Sequence, residues 1–362
     1  MLKQSTIMIF FVFFISLIIN LIPEINVNKI PPNNTVNRYP WYSDSHHLKK
    51  ENTFQNIWGK EENPGTWKTM KWAFTNIALG SEEYKVPETV KINPEELKKN
   101  SDSTEVYWIG HATSLVKMNG KVIITDPIFN ERASIVSFSG PKRLVDFPIT
   151  VDQIPQINTV IISHSHYDHC DKKSLVALND KFNPLFIVPL KMKALLNDWG
   201  ISNVIELDWW EYIDVDGIRY SSTPNRHRSN RGLFDINEIL WSSWMMENLQ
   251  NGKKVYFAGD TGYSSHFKEI GEKLGSPDIA LLPIGAYLPR WLMQHVHVTP
   301  QESVQAFLDL GAKQFVGIHW GTFDLADEPL DEPGKIVPEI AKEKGIGLEK
   351  VHILPIGGKF SY

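Results

Sequence analysis

The sequence predicts an α/β fold. Three observations carry that expectation: apolar runs of strand length recur along the chain, several of them stop at a loop rich in His or Asp, and helical patterns such as Lys191 to Trp199 and Pro300 to Leu310 lie between them. The 362 residues, 42% hydrophobic and 22% charged, can bury a large core. The chemistry-bearing motifs form one continuous pattern, so one large catalytic domain with an extension is expected.

The most informative strand end is Thr159-Val160-Ile161-Ile162, which runs into Ser163-His164-Ser165-His166-Tyr167-Asp168-His169. In an extended chain, side chains two apart point the same way, so His164 and His166 can share one metal. Asp168 and His169 are adjacent and must diverge, which suggests a second metal. Neutral imidazole and carboxylate suit zinc or its neighbours, although the bland reading is an exposed polar loop. Three further runs end in ligand types. Arg219 to Pro224 leads into His227. Lys254 to Ala258 stops at Gly259-Asp260-Thr261-Gly262, where glycines let the backbone turn sharply and approach a metal closely. Gln314 to Ile318 stops at His319. Singly, each has an ordinary reading as a satisfied buried imidazole or a turn carboxylate. Together they supply five His and two Asp, enough for two metals with one bridging carboxylate.

The series His-x-His-x-Asp-His, His227, Asp260 and His319 resembles the metallo-β-lactamase superfamily of binuclear metallohydrolases. Trp108 to Thr113, Thr125 to Phe129, Gly140 to Arg143, Glu206 to Trp210, Ala258 to Tyr263, Pro283 to Tyr287 and Ile318 to Phe323 narrow the likeness to the N-acylphosphatidylethanolamine-hydrolysing phospholipase D group. It runs in order from about Val106 to the C-terminus and weakly upstream through His46-His47 and Phe54-Gln55-Asn56. The resemblance implies a four-layer αββα sandwich with metals at one edge. It assigns one metal to His164, His166 and His227 and the other to Asp168, His169 and His319, with Asp260 bridging. It also implies substrate contacts from Tyr167 and His297; His295 lies two residues earlier, but alignment on the following Val-x-Pro favours His297.

Two Zn2+ are the expected cofactors, with Mn2+ or Fe2+ compatible with the same donors. Such ions bring the pKa of bound water from ~15.7 to about 7 and neutralise charge at phosphorus. The expected reaction is that of a phosphodiesterase, releasing N-acylethanolamine and phosphatidic acid from an N-acylated phospholipid. Asp168, Asp260 and His297 form the expected catalytic set, and His297 and Tyr167 are candidate proton donors to the leaving alcohol. A metal-bound His normally donates its other N–H to a carboxylate or carbonyl; Asp126 is the best candidate, its alternative being a turn carboxylate before Pro127, and His111 is a further supporting residue. Arg226-His227-Arg228-Ser229-Asn230-Arg231 is dense in guanidinium, so Arg228 and Arg231 are candidates for an anionic head group, or else members of a solvated charged loop. The alternative functions are a lactonase or related hydrolase acting on a small anionic substrate, and a non-enzymatic metal or lipid binder.

The net charge of −5 and the lack of a basic stripe argue against nucleic acid. The single Cys170 excludes an internal disulfide and a cysteine-built metal site. Residues 1–22 read as an uncleaved signal-anchor, 23–103 as a linker and aromatic-rich extension, and 104–362 as the catalytic domain. The apolar stretch Ile7 to Ile22 would extend about 24 Å as a helix, short of a ~30 Å hydrocarbon layer, and lacks an Ala-x-Ala-like cleavage signal; cleaved export and a buried helix are the alternatives. Lys3 before it would send the catalytic domain across the membrane. The expected partners are thus a phospholipid substrate, a membrane through the N-terminal segment and, as a candidate, a second copy of the chain.

Overall fold

The computed structural model describes residues 35–59, 67–68, 71–72, 85–99, 101–134, 138–232 and 234–362. Asn34–Tyr362 forms one compact unit. It contains two large sheets and a two-stranded hairpin. In spatial order, the eight-stranded sheet is Asn37–Arg38, Glu211–Val215, Ile218–Thr223, Ser243–Asn248, Lys254–Phe257, Ile279–Pro283, Gln314–Ile318 and Val351–His352. The seven-stranded sheet is Lys359–Ser361, Glu105–Gly110, Thr113–Met118, Lys121–Thr125, Thr159–Ile161, Leu185–Pro189 and Val204–Leu207. Each begins antiparallel and ends with four mutually parallel strands.

Period-two alternation sorts these strands into layers. Val106 and Trp108 join a cluster with Tyr220, Met246 and Phe257 of the opposite sheet, whereas Tyr107 and Ile109 turn outward to Leu175, Leu178 and Leu196. The latter belong to helices Lys172–Phe182 and Met192–Asn197. On the far face of the other sheet, helices His266–Leu274, Pro300–Asp309 and Glu332–Glu343 bury Phe267, Phe307 and Val337. The result is the expected helix, sheet, sheet, helix sandwich.

Helix boundaries follow local chemistry. Asp171 accepts the Ser174 N–H at the start of Lys172–Phe182, and Asn183 ends that helix in the left-handed region at φ 45°. Thr299 and Glu302 form a capping box around Pro300, whose missing N–H costs nothing in the first turn. The longest of these helices, Glu332–Glu343, has 12 residues and extends about 18 Å. Among the described residues no helix is long and apolar enough to cross a membrane, which overturns the expectation of a membrane-associated chain. The stretch Ile7 to Ile22 on which that expectation was based lies outside the described residues.

The parallel strands position the chemistry. Asp126, the segment from Ser163 to His169, Asp260 and His319 all follow the C-terminal ends of such strands, and His227 follows Ile218–Thr223. The two sheets are joined at this edge, where the His319 N–H donates to the His111 carbonyl over 2.9 Å.

Candidate metal centre

His164, His166 and His227 converge. His166 Nδ1 lies 2.8 Å from His164 Nε2 and 3.3 Å from His227 Nε2. The remaining ring nitrogens point away, to identifiable acceptors. His164 Nδ1 donates to Ser163 Oγ over 2.9 Å, and that hydroxyl in turn donates to Asp126 Oδ2. His166 Nε2 donates to Asn230 Oδ1 over 3.1 Å, and His227 Nδ1 to the Val296 carbonyl over 3.0 Å. These bonds place the protons on the outer nitrogens, so three lone pairs face one another. Burial lowers the pKa of all three, His164 and His227 strongly, and prevails over the opposing carboxylates of Asp168 at His166 and Asp260 at His227. Neutral imidazoles with convergent lone pairs are the donor set of a divalent ion.

A second cluster adjoins it. Asp168 Oδ2 lies 2.8 Å from His111 Nε2, 3.2 Å from His169 Nε2 and 3.9 Å from His319 Nε2. Asp260 directs Oδ2 to His169 Nε2 at 3.1 Å and Oδ1 to His319 Nε2 at 2.9 Å. Close as they are, His169 Nε2, Asp260 Oδ1 and both His319 nitrogens are buried without a hydrogen bond of proper geometry. Buried polar atoms are seldom left so, and a cation coordinated among them would satisfy the inward-facing ones. Burial alone would raise the carboxyl pKa values, but neighbouring imidazoles, His169 foremost, hold Asp168 and Asp260 well below the usual carboxylate range. Both are therefore ionised, as ligation requires.

Asp126 lies behind both clusters. Wholly buried, it accepts the Ser163 N–H at 2.7 Å through Oδ1, and the Ser163 hydroxyl at 2.5 Å and His169 Nδ1 at 2.7 Å through Oδ2. Its position before Pro127 is a turn, as the alternative reading had it, but the carboxylate faces the imidazoles. His111, Asp126 and His319 have positive φ values of 53°, 36° and 61°. Such conformations cost of order 1–3 kcal/mol each for side-chain-bearing residues and persist where surrounding contacts over-determine them. For His111 those contacts include the bond from its N–H to Thr322 Oγ1 at 2.7 Å.

The glycines beside Asp260 approach neighbouring loops. At Gly259, with φ 60°, a Cβ would lie 2.5 Å from that of Ser163. At Gly262 it would lie 2.5 Å from the His295 carbonyl oxygen. The close approach expected from Gly-Asp-x-Gly is thus to the chain that carries Ser163 and to the segment that carries His297.

Among the expected substrate contacts, His297 faces the centre: Nδ1 lies 3.8 Å from Asp260 Oδ2, and the ring packs against His227 and His319. Burial brings its pKa down to about 4. His295 turns aside and accepts from Arg226 at 2.9 Å. Tyr167 donates its hydroxyl to the Arg231 carbonyl, 2.5 Å away. The Arg231 guanidinium lies over the Tyr167 and Trp199 rings and donates to the Ser165 and Cys170 carbonyls at 2.8 Å each, so it braces the ligand loop from behind. Arg228 is half-buried beside His227. Sequence reasoning assigned no role to Ser163, Asn230 or Asn56, whose side-chain amide donates to the His227 carbonyl at 2.8 Å. Ser163 and Asn230 stand within the two quoted ligand motifs, which is a usable signal; Asn56 stands in the weak upstream likeness Phe54-Gln55-Asn56, but it lies 171 residues from His227 and nothing local links it to that ligand.

Residues 121–320, more than half the chain, match the family model described as "Beta-lactamase superfamily domain". An uncharacterized protein of Mycobacterium bovis is 39% identical over 246 residues, covering 67% of this chain and 65% of that protein, just under two thirds of its length. N-acyl-phosphatidylethanolamine-hydrolyzing phospholipase D 1 of Caenorhabditis elegans is 39% identical over 243 residues, 62% of this chain and 67% of that protein. Among solved structures, a possible metal-dependent hydrolase from Veillonella parvula shares the fold with a TM-score of 0.58 at 17% identity, over 72% of this chain and all of that one. With this fold and these relatives, the chain belongs to the metallo-β-lactamase superfamily of metal-dependent hydrolases.

Proposed function

We propose that the chain is a binuclear metal-dependent phosphodiesterase of the phospholipase D type, acting on N-acylphosphatidylethanolamine-like lipids. The observation that carries the reading is the pair of adjoining donor clusters with Asp260 facing into them; the name of the C. elegans relative supports the substrate class. His164, His166 and His227 would hold one ion, and Asp168, His169 and His319 the other, with Asp260 shared. Zn2+ fits the imidazole-rich donors, and Mn2+ or Fe2+ can use them as well. When bound, two such ions supply an activated water at neutral pH and neutralise charge developing at phosphorus.

The chain's own groups do the rest. Asp126, Ser163, Asn230 and the Val296 carbonyl keep the imidazoles in the ligating tautomer. His297, held neutral by burial, presents a ring nitrogen that can bond the leaving oxygen and carry its proton. A new P–O bond forms from water, the P–O bond to the ethanolamine breaks, and the water proton ends on the released alcohol.

The test incubates metal-loaded protein with an N-acylated phosphatidylethanolamine in 18O-labelled water. Phosphatidic acid carrying the label, with unlabelled N-acylethanolamine, is the expected pair by mass spectrometry. Inert phospholipid alongside lactone opening would reject the proposal in favour of a lactonase.

A further inference from the structure

The segment from Tyr39 to Trp58 precedes every residue of the donor clusters in sequence, yet it is fastened to the loop that carries His227. One end is clasped at Asp208, whose carboxylate accepts from His46 Nε2 at 2.6 Å, the Tyr42 hydroxyl at 2.7 Å and His47 Nε2 at 2.8 Å. The other end is held by Trp58, whose ring centre lies 5.7 Å from that of Trp209 and 5.1 Å from that of His266. Between these points the segment meets the loop twice. Asn56 donates its side-chain amide to the His227 carbonyl at 2.8 Å, and the Phe54 N–H donates to the Asn237 carbonyl at 2.9 Å. Asn237 in turn donates its N–H to the Ser229 carbonyl at 2.7 Å and accepts the Ser229 N–H through Oδ1 at 3.1 Å.

These contacts bear on the first donor cluster. His227 is gripped at both ends, its ring by the Val296 carbonyl and its main chain by Asn56. Asn230, on the same loop, orients His166. The second cluster is braced otherwise: Asp168, His169 and His319 take partners from His111, Asp126 and Asp260. A ligand already held in place has little freedom left to lose when an ion arrives, and that preorganisation raises affinity.

We infer that Asn56 is a positioning residue for the first ion: its bond to the His227 main chain keeps that imidazole aimed at His164 and His166. The aromatic-rich extension is thereby part of the metal site. This rests on the reading of His164, His166 and His227 as the ligands of one ion and is independent of which substrate is cleaved.

The test titrates the metal-free full-length protein with Co2+ and follows its visible absorption. Two binding phases are expected in the wild type, and the one abolished in His166→Ala marks the first site. In Asn56→Leu, which keeps the shape and loses the amide, that phase should weaken by about 10- to 100-fold, the usual cost of losing a group that orients a ligand. The second phase should keep its wild-type midpoint. Asn56→Gln, which carries the amide on a longer stem, should recover part of the loss. Tyr42→Phe removes a bond of the same segment to Asp208, so it should lower the urea midpoint and move neither phase. An unchanged first phase in Asn56→Leu would overturn the assignment, as would equal weakening of both phases in Asn56→Leu and Tyr42→Phe alike. A wild type that shows no phase sensitive to His166→Ala would instead overturn the ligand reading, and this inference with it.

Discussion

Replacing Asp126 with Asn changes one oxygen to an amide nitrogen inside a fully buried network, and the consequences can be followed atom by atom. Oδ1 would still accept the Ser163 N–H. At the position of Oδ2, an NH2 group would face two donors, the Ser163 hydroxyl and His169 Nδ1, now 2.5 and 2.7 Å away. Donor cannot bond donor, so Ser163 must turn its hydroxyl elsewhere, and His169 must either leave its place or move its proton to Nε2, the nitrogen facing Asp168 and Asp260. Two bonds to a charged acceptor are lost, each about 1.5–3 kcal/mol, and because they share that acceptor the total falls short of the sum, at about 2–5 kcal/mol. Loss of such an orienting partner typically costs metal sites 10–100-fold in affinity. Urea unfolding measures the first effect, and elemental analysis after dialysis against graded chelator measures the second. Metal retention equal to wild type, together with a stability change under about 1 kcal/mol, would refute this account of Asp126.

Three other substitutions test separate parts of the reasoning. Arg231→Met should destabilise the fold by about 2–3 kcal/mol through loss of its bonds to Ser165 and Cys170, with little change in KM; urea midpoints and kinetics together separate this outcome from a substrate role. Gly262→Ala would put a methyl group against the His295 carbonyl and displace the segment carrying His297, so turnover should fall about tenfold or more while metal content stays the same. Glu105 is bonded to Lys117 at 2.9 Å and Lys359 at 2.6 Å; burial opposes ionisation, yet the two ammonium groups win and lower its pKa. Its contribution is therefore present above the unfolded carboxyl value of about 4.3 and is lost as pH falls through the folded value. Glu105→Gln should accordingly cost about 1.5–3 kcal/mol at pH 7 and much less at pH 3, as measured by urea unfolding at both.

The parts of this molecule that were legible in its sequence are those governed by short-range rules. Alternation along Val106-Tyr107-Trp108-Ile109 assigns each side chain to one of two cores, and ligands at strand ends are forced into proximity once parallel strands align their termini. His164 to His169 is so compact that its geometry is nearly local. The roles of the arginines could not be read that way. Arg226, Arg228 and Arg231 share one loop and one chemistry, and what separates them is supplied from elsewhere: carbonyls at Ser165 and Cys170, more than 60 residues upstream, claim Arg231, and His295, 69 residues downstream, claims Arg226. His295 and His297 are divided by the same contact, since the imidazole that accepts from Arg226 is turned from the centre and its neighbour two positions on faces it. The three arginines are thus sorted by distant groups: carbonyls at Ser165 and Cys170 hold Arg231, the Tyr263 carbonyl and the His295 ring hold Arg226, and nothing in the local sequence of the loop tells one guanidinium from another.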